Sequence, residues 1–215
     1  MIDLRWFGHS FWRFSGPETS IVTDPFDDIG YPMPTDLHAD IILCSHDHHD
    51  HNNIGLVVNK PRCFREPGQY EYHGVTIDLR AEAHDDAGGS KRGKTLLMKF
   101  TIEGRTFLHC GDLGYIPDDD VLAWMGKVDG LFIPVSGTYT IDAKQAWAIV
   151  EHTQPTLVFP QHYLTPTIAK WSFARIDDFL RLVRYRRIDY IEGNTMTLSE
   201  QSYAEPRVIV FSEYA

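Results

Sequence analysis

Ser45-His46-Asp47-His48-His49-Asp50-His51 closes the apolar run Ala39-Asp40-Ile41-Ile42-Leu43-Cys44. Six of its seven residues carry a side chain able to ligate a metal, and the run before it reads as a buried strand. A strand end is a rigid platform, and the turn after it can fold several short side chains toward one point. His46 and His48 stand two apart, so in extended backbone their imidazoles leave the chain on the same side. Asp50 and His51 follow once the chain turns, and reach a second point close by. Imidazole and carboxylate at this density suit Zn, Mn or Fe, and the lack of cysteine in the run argues against a structural zinc knuckle. A cloning tag does not explain a run that lies inside the chain behind a hydrophobic strand. A solvated loop rich in His and Asp is the remaining bland reading.

Three later stretches have the same character. Ala81-Glu82-Ala83-His84-Asp85-Asp86 places His84 after the strand-like Gly74-Val75-Thr76-Ile77-Asp78-Leu79. Thr106-Phe107-Leu108-His109-Cys110-Gly111-Asp112 is an apolar run ending in Gly-Asp, and Leu157-Val158-Phe159-Pro160-Gln161-His162-Tyr163 is another ending in His. A lone His after a strand is usually a hydrogen-bonded core or surface residue. Four strand ends that each deliver a His or Asp point instead to one sheet edge gathering all of these side chains.

In this pattern the chain resembles the metallo-β-lactamase superfamily, whose signature is His-x-His-x-Asp-His followed by a His, an Asp and a last His. The resemblance runs from Gly8-His9-Ser10 and Thr23-Asp24-Pro25, through the His/Asp run, to His162. Within the superfamily the chain is similar to the small bacterial Zn-dependent hydrolases related to the L-ascorbate-6-phosphate lactonases. The residues that carry this are Gly8-His9-Ser10, Gly88-Gly89-Ser90-Lys91-Arg92-Gly93-Lys94, His109-Cys110-Gly111-Asp112-Leu113-Gly114 and Ile133-Pro134-Val135-Ser136-Gly137-Thr138-Tyr139-Thr140. The resemblance implies an α/β fold, a four-layer αββα sandwich, and two adjacent divalent ions, Zn first and Mn or Fe as alternatives. His46, His48 and His84 are then expected to hold the first ion, Asp50, His51 and His162 the second, and Asp112 to bridge them. Asp47 and His49 fall at variable positions of the signature and are not expected to ligate.

Size and charge bound the reading further. A chain of 215 residues is long enough for one domain with a substantial core, and residues 1–215 are expected to form a single one. Hydrophobic content of 43% is ordinary for a soluble protein. No apolar stretch approaches a membrane span. Met1-Ile2-Asp3-Leu4-Arg5-Trp6 lacks the basic-then-apolar order of a signal peptide. Three cysteines, Cys44, Cys63 and Cys110, give no disulfide framework, so the cytoplasm is the expected compartment. The formal charge of −10 disfavours nucleic acid as a partner. It weighs less against a small anionic substrate, because bound divalent ions make a pocket locally positive. A homo-oligomer is compatible with the sequence and is not specified by it.

Along the chain, Leu4 to Phe14 and Thr19 to Val22 read as strands joined by Ser15-Gly16-Pro17-Glu18, and Asp27 to Pro34 as a loop. Asp118-Asp119-Asp120 predicts a helix start, and so does Asp142. Ile176, Phe179, Leu180 and Val183 form an apolar stripe that predicts a helix between Phe173 and Arg187. The basic cluster Arg181, Arg184, Arg186 and Arg187 is expected on that helix as a solvated face. Arg207-Val208-Ile209-Val210-Phe211 is expected to be a last strand closing one sheet.

A water shared by two divalent cations loses its proton near neutral pH, its pKa falling from about 15.7 to ~7. The expected reaction is therefore hydrolysis of an ester, lactone or phosphodiester in a small anionic substrate, with Asp50, Asp112, Arg92 and His9 as the catalytic candidates. Arg92 offers a planar donor fork suited to phosphate or carboxylate, or is a solvated arginine of a mobile polar loop. His9 either orients a ligand or donates to the substrate, or is a strand-end histidine satisfied by backbone. Asp24 is expected to hydrogen-bond a ligand histidine from behind. Tyr163 is expected only to pack. Two readings compete with the hydrolase: redox chemistry at iron on the same fold, and a non-enzymatic metal or ligand sensor.

Overall fold

The computed structural model describes residues 1–212. The chain opens with antiparallel strands β1 (Ile2–Gly8), β2 (Phe11–Ser15) and β3 (Ser20–Thr23), to which β4 (Ile41–Leu43) and β5 (Arg62–Phe64) add in parallel. A second sheet begins with β6 (Gly68–Tyr72), β7 (Val75–Ala83), β8 (Lys94–Ile102) and β9 (Arg105–His109), all antiparallel. From there helices alternate with strands: α1 (Asp119–Met125), β10 (Gly130–Pro134), α2 (Ala143–Thr153), β11 (Leu157–Gln161), α3 (Ile176–Leu180) and β12 (Arg187–Ile191). β13 (Thr195–Leu198) crosses back to pair with β1, and β14 (Arg207–Phe211) enters the second sheet. The sheet orders are β13-β1-β2-β3-β4-β5 and β12-β14-β11-β10-β9-β8-β7-β6.

The helices occur where the second sheet turns parallel, because parallel neighbours need a crossover and cannot be joined by a tight turn. Their starts follow the sequence. Asp118 caps α1 by accepting from Val121 N, and Asp142 with Gln145 forms a capping box on α2. Side-chain alternation then sorts the first sheet into two faces. Trp12, Phe14, Ile21, Ile41 and Leu43 enter the large core between the sheets, where Phe14 meets Phe100 at 4.9 Å and Trp12 meets Phe132 at 4.8 Å. Phe11, Val22 and Ile42 point the other way, into a smaller cluster with Phe26, Ile29, Tyr31, Leu37 and Val57. This is the expected α/β sandwich. Its outer layer over the first sheet is built, among the described residues, from the loop from 24 to 40, a 3-10 turn, Ile54–Leu56, and the connection after β11 that carries Leu164, Ile168, Trp171 and Phe173. Among the described residues no helix is long and apolar enough to cross a membrane.

Three expectations need correction. The run Leu4 to Phe14 is two strands, because Gly8 at φ 105° and His9 at φ 50° turn the chain back. Gly8 is required there, since a Cβ would stand 2.5 Å from the Tyr31 ring. The helix expected up to Arg187 stops at Leu180. Leu182 and Val183 donate to carbonyls three residues back, Tyr185 takes φ 59°, and Arg187 already belongs to β12. The arginine cluster therefore spans a helix end, a turn and a strand start rather than one helical face. Finally, β14 lies between β11 and β12 and does not close the sheet; β12 is the edge.

Candidate metal centre

Six strands deliver residues to one edge of the sandwich: His9 follows β1, Asp24 β3, the His46–His51 run β4, His84 β7, Asp112 β9 and His162 β11. Three of these residues, His9, Asp24 and His162, adopt left-handed backbone, with φ 50°, 43° and 53°. Such conformations carry a modest cost for residues other than glycine, and here each lies at a strand end that faces the same cluster. The two sheets are tied at this edge by Leu96 N donating to Ser45 O at 2.8 Å.

The side chains form two groups joined by one carboxylate. His46, His48 and His84 make the first; His9, Asp50, His51 and His162 make the second, with donor atoms within 4.8 Å of one another. Asp112 stands between them. Its Oδ2 lies 3.4 Å from His84 Nε2 and 3.3 Å from His162 Nε2, and its Oδ1 3.3 Å from His51 Nε2. The structure thus brings the seven expected ligands together. Asp47 is exposed and bonded to Asn52, and the His49 side chain is 68% exposed, so neither joins them.

Three of the clustered histidines are oriented from behind. Asp24 Oδ2 accepts from His51 Nδ1 at 3.0 Å, Ser45 Oγ lies 2.9 Å from His46 Nδ1, and Ser136 Oγ lies 3.0 Å from His162 Nδ1. Each contact turns the opposite nitrogen inward and fixes the ring. The inward atoms, Nε2 of His46, His51 and His162, are buried and among the described residues have no hydrogen-bond partner; Asp112 Oδ1 is in the same position. A buried polar group left unpaired costs about 1–3 kcal/mol, so this convergence of orphaned lone pairs fits a cation. Imidazole nitrogens with carboxylate oxygens are the donor set of Zn, Mn or Fe.

The electrostatics agree. Burial pushes His46 down to about 3 and His9 to about 4, so both rings are neutral and have lone pairs to give. Burial alone would raise Asp112, but His162 and His51 outweigh it and hold the carboxyl well below its usual range. At Asp50 the His51 charge opposes burial in the same way, and the carboxyl lies below its usual range.

The cluster opens into a cleft of ≈ 840 Å³ whose rim includes Lys91, Arg92, Tyr139, Lys170, Trp171 and Phe173. Arg92 lies over the Tyr139 ring, 4.6 Å from its centroid. Its loop is not loose: Asp85 accepts backbone N–H bonds from Ala87, Gly89, Lys91 and Arg92 at 2.8–2.9 Å. His9 is not the backbone-satisfied histidine of the bland reading, because neither ring nitrogen has a hydrogen-bond partner among the described residues. Tyr163 packs on Trp6, as expected. Sequence reasoning missed the supports Ser45 and Ser136 and the wall of Lys170, Trp171 and Phe173. A serine beside a strand end carries no signal of its own, and the wall reaches the site only through the long connection after β11.

The β-lactamase superfamily domain matches residues 3–162. Over its whole length the chain superposes on a candidate Zn-dependent hydrolase of the metallo-β-lactamase superfamily from Thermotoga maritima, with TM-score 0.83, 31% identity and full coverage of both chains. It is 27% identical over 191 residues to a metal-dependent hydrolase of Thermoplasma acidophilum, covering 76% of this chain and 84% of that one. It is 26% identical to another from Saccharolobus solfataricus, covering 92% and 100%. The chain belongs to the metallo-β-lactamase superfamily. With its His/Asp cluster it is a metal-dependent hydrolase of that superfamily.

Proposed function

We propose that residues 1–215 act as one domain, a dinuclear metallohydrolase that cleaves an ester, lactone or phosphodiester bond in a small anionic substrate. The observation that carries this is the position of Asp112, whose oxygens stand 3.3–3.4 Å from ligand atoms of both histidine groups. His46, His48 and His84 would hold one ion, Asp50, His51 and His162 the other, and Asp112 both. Two divalent ions, Zn first and Mn or Fe as alternatives, supply an acidified water and polarise a carbonyl or phosphoryl oxygen. The chain's own residues do the rest. Asp24, Ser45 and Ser136 fix the ligand rings, Arg92 and Lys170 offer cations to the substrate's anionic group, and Trp171 and Phe173 exclude water from one side of the cleft. A lactone carrying a phosphate, as in the lactonase branch that the sequence resembles, meets these requirements. The three unpaired cysteines suit a reducing compartment such as the cytoplasm.

The test is elemental analysis combined with a hydrolysis screen of phosphodiesters, phosphomonoesters and lactones. Protein reloaded with Zn or Mn should approach two equivalents. Asp112→Ala should lose metal and turnover together. Arg92→Ala should keep its metal and raise KM for anionic substrates roughly ten- to a hundredfold, the size of one charge-assisted bond of roughly 1.5–3 kcal/mol. A firm stoichiometry of one overturns the dinuclear reading. Loss of metal from Arg92→Ala overturns the clamp.

A further inference from the structure

We infer that His9 is a direct ligand of the second cation, so that this half of the centre draws on four side chains of its own, His9, Asp50, His51 and His162, beside Asp112. The inference rests on the metal-binding reading above and adds a donor that the superfamily's ligand signature does not contain.

The position of the ring carries the argument. The His9 side chain is 0% exposed, and its Nε2 lies 3.4 Å from Asp50 Oδ2 without hydrogen-bond geometry. Two donors each about 2.1 Å from one ion stand about 3.0–3.6 Å apart at the roughly 90–120° angles of a five-coordinate ion, and this contact falls in that range. The ring packs at 4.2 Å from His162 and 5.1 Å from His51, its centroid 5.9 Å from that of Phe173, to which it lies nearly parallel. The backbone fixes it there. Trp6 Nε1 and His162 N both donate to the His9 carbonyl, at 3.1 and 3.5 Å, and the residue holds φ 50°. Those bonds use the carbonyl and leave both ring nitrogens without a partner among the described residues.

Other roles fit less well. A core histidine kept for packing needs at least one ring nitrogen bonded, since each orphaned polar atom costs about 1–3 kcal/mol. A group that donates to substrate needs access to the cleft, and His9 does not line it. A pure positioning bond to Asp50 needs an aligned N–H, which the contact lacks. Coordination through Nε2 gives the ring the one partner that packing alone denies it and explains a strained backbone that aims it at Asp50, His51 and His162.

The test is NMR of protein labelled with 15N in its histidine rings and loaded with 113Cd alone. One-bond 113Cd–15N coupling is expected at His9 as well as at His46, His48, His51, His84 and His162, with the His9 resonance assigned by its loss in His9→Asn. Asn is chosen because it tolerates left-handed backbone. In a competitive titration with Zn, His9→Asn should weaken the second equivalent at least roughly tenfold, the lower end of what losing even an outer support costs, and leave the first unchanged. Coupling at the five other histidines with none at His9, or an unchanged second equivalent in His9→Asn, overturns the inference and leaves the dinuclear reading standing. Coupling at no histidine overturns both.

Discussion

Asp24 is wholly buried, and its two oxygens accept from Ser45 N at 2.7 Å, Ser45 Oγ at 2.8 Å and His51 Nδ1 at 3.0 Å. One carboxylate therefore fixes both the turn that starts the His/Asp run and the ring at its end. Asp24→Ala should weaken the second cation roughly ten- to a hundredfold. It should also lower stability by a few kcal/mol, because the Ser45 N–H and hydroxyl lose their acceptor in the interior. Metal titration and denaturant unfolding measure the two effects, and an unchanged metal affinity would remove Asp24 from the supporting set. His51 belongs to the same residue-level balance. Burial alone would lower its pKa, yet Asp112 and Asp24 on either side outweigh burial and raise it well above the usual value.

Among the elements, strand ends matter more than strand interiors. The turn after β9 passes so close to the end of β7 that a Cβ on Gly114 would stand 2.2 Å from Asp85 N and 2.4 Å from His84 C. Backbone cannot yield as a side-chain tip can. Gly114→Ala should cost about 1–3 kcal/mol and, by displacing His84, also weaken the first cation; a thermal melt and a metal titration read these together. Helix α2 gives the contrasting case. Removing its cap with Asp142→Ala should cost about 1 kcal/mol and leave metal content unchanged, since the lost bond from Gln145 N to Asp142 Oδ1 lies at the helix start, outside the His/Asp cluster. A fall in metal content would show that the cap also positions Ser136, whose backbone bridges to Asp142.

For the whole molecule, the cluster gathers residues from both sheets, so a cation there binds the folded state alone. Stripping metal with a chelator should therefore lower Tm. At free metal a hundredfold above Kd the linkage is about 2.7 kcal/mol, or about 5–11 °C for a chain of this length; a melt unmoved by chelation would count against a centre built across the two sheets. The seven clustered His and Asp side chains were legible in the sequence because each sits just after an apolar run, and chain order alone states that pattern. The helix starts at Asp118 and Asp142 were legible for the same local reason, as each cap bonds an N–H three residues on. The end of α3 was not, because the stripe Ile176-Phe179-Leu180-Val183 fits a longer helix, and the turn at Tyr185 that carries the chain into β12 overrides it. Nor was the interior place of β14, since an apolar strand reads alike at an edge or between two neighbours. The sequence by itself determined which side chains gather and which strand ends deliver them. Only the tertiary structure decided what stands behind and around them: the Ser136 support, the Trp171–Phe173 wall and the burial of His9. Those contacts join residues from 26 to more than 160 positions apart, and no local pattern encodes a distance that only two packed sheets create.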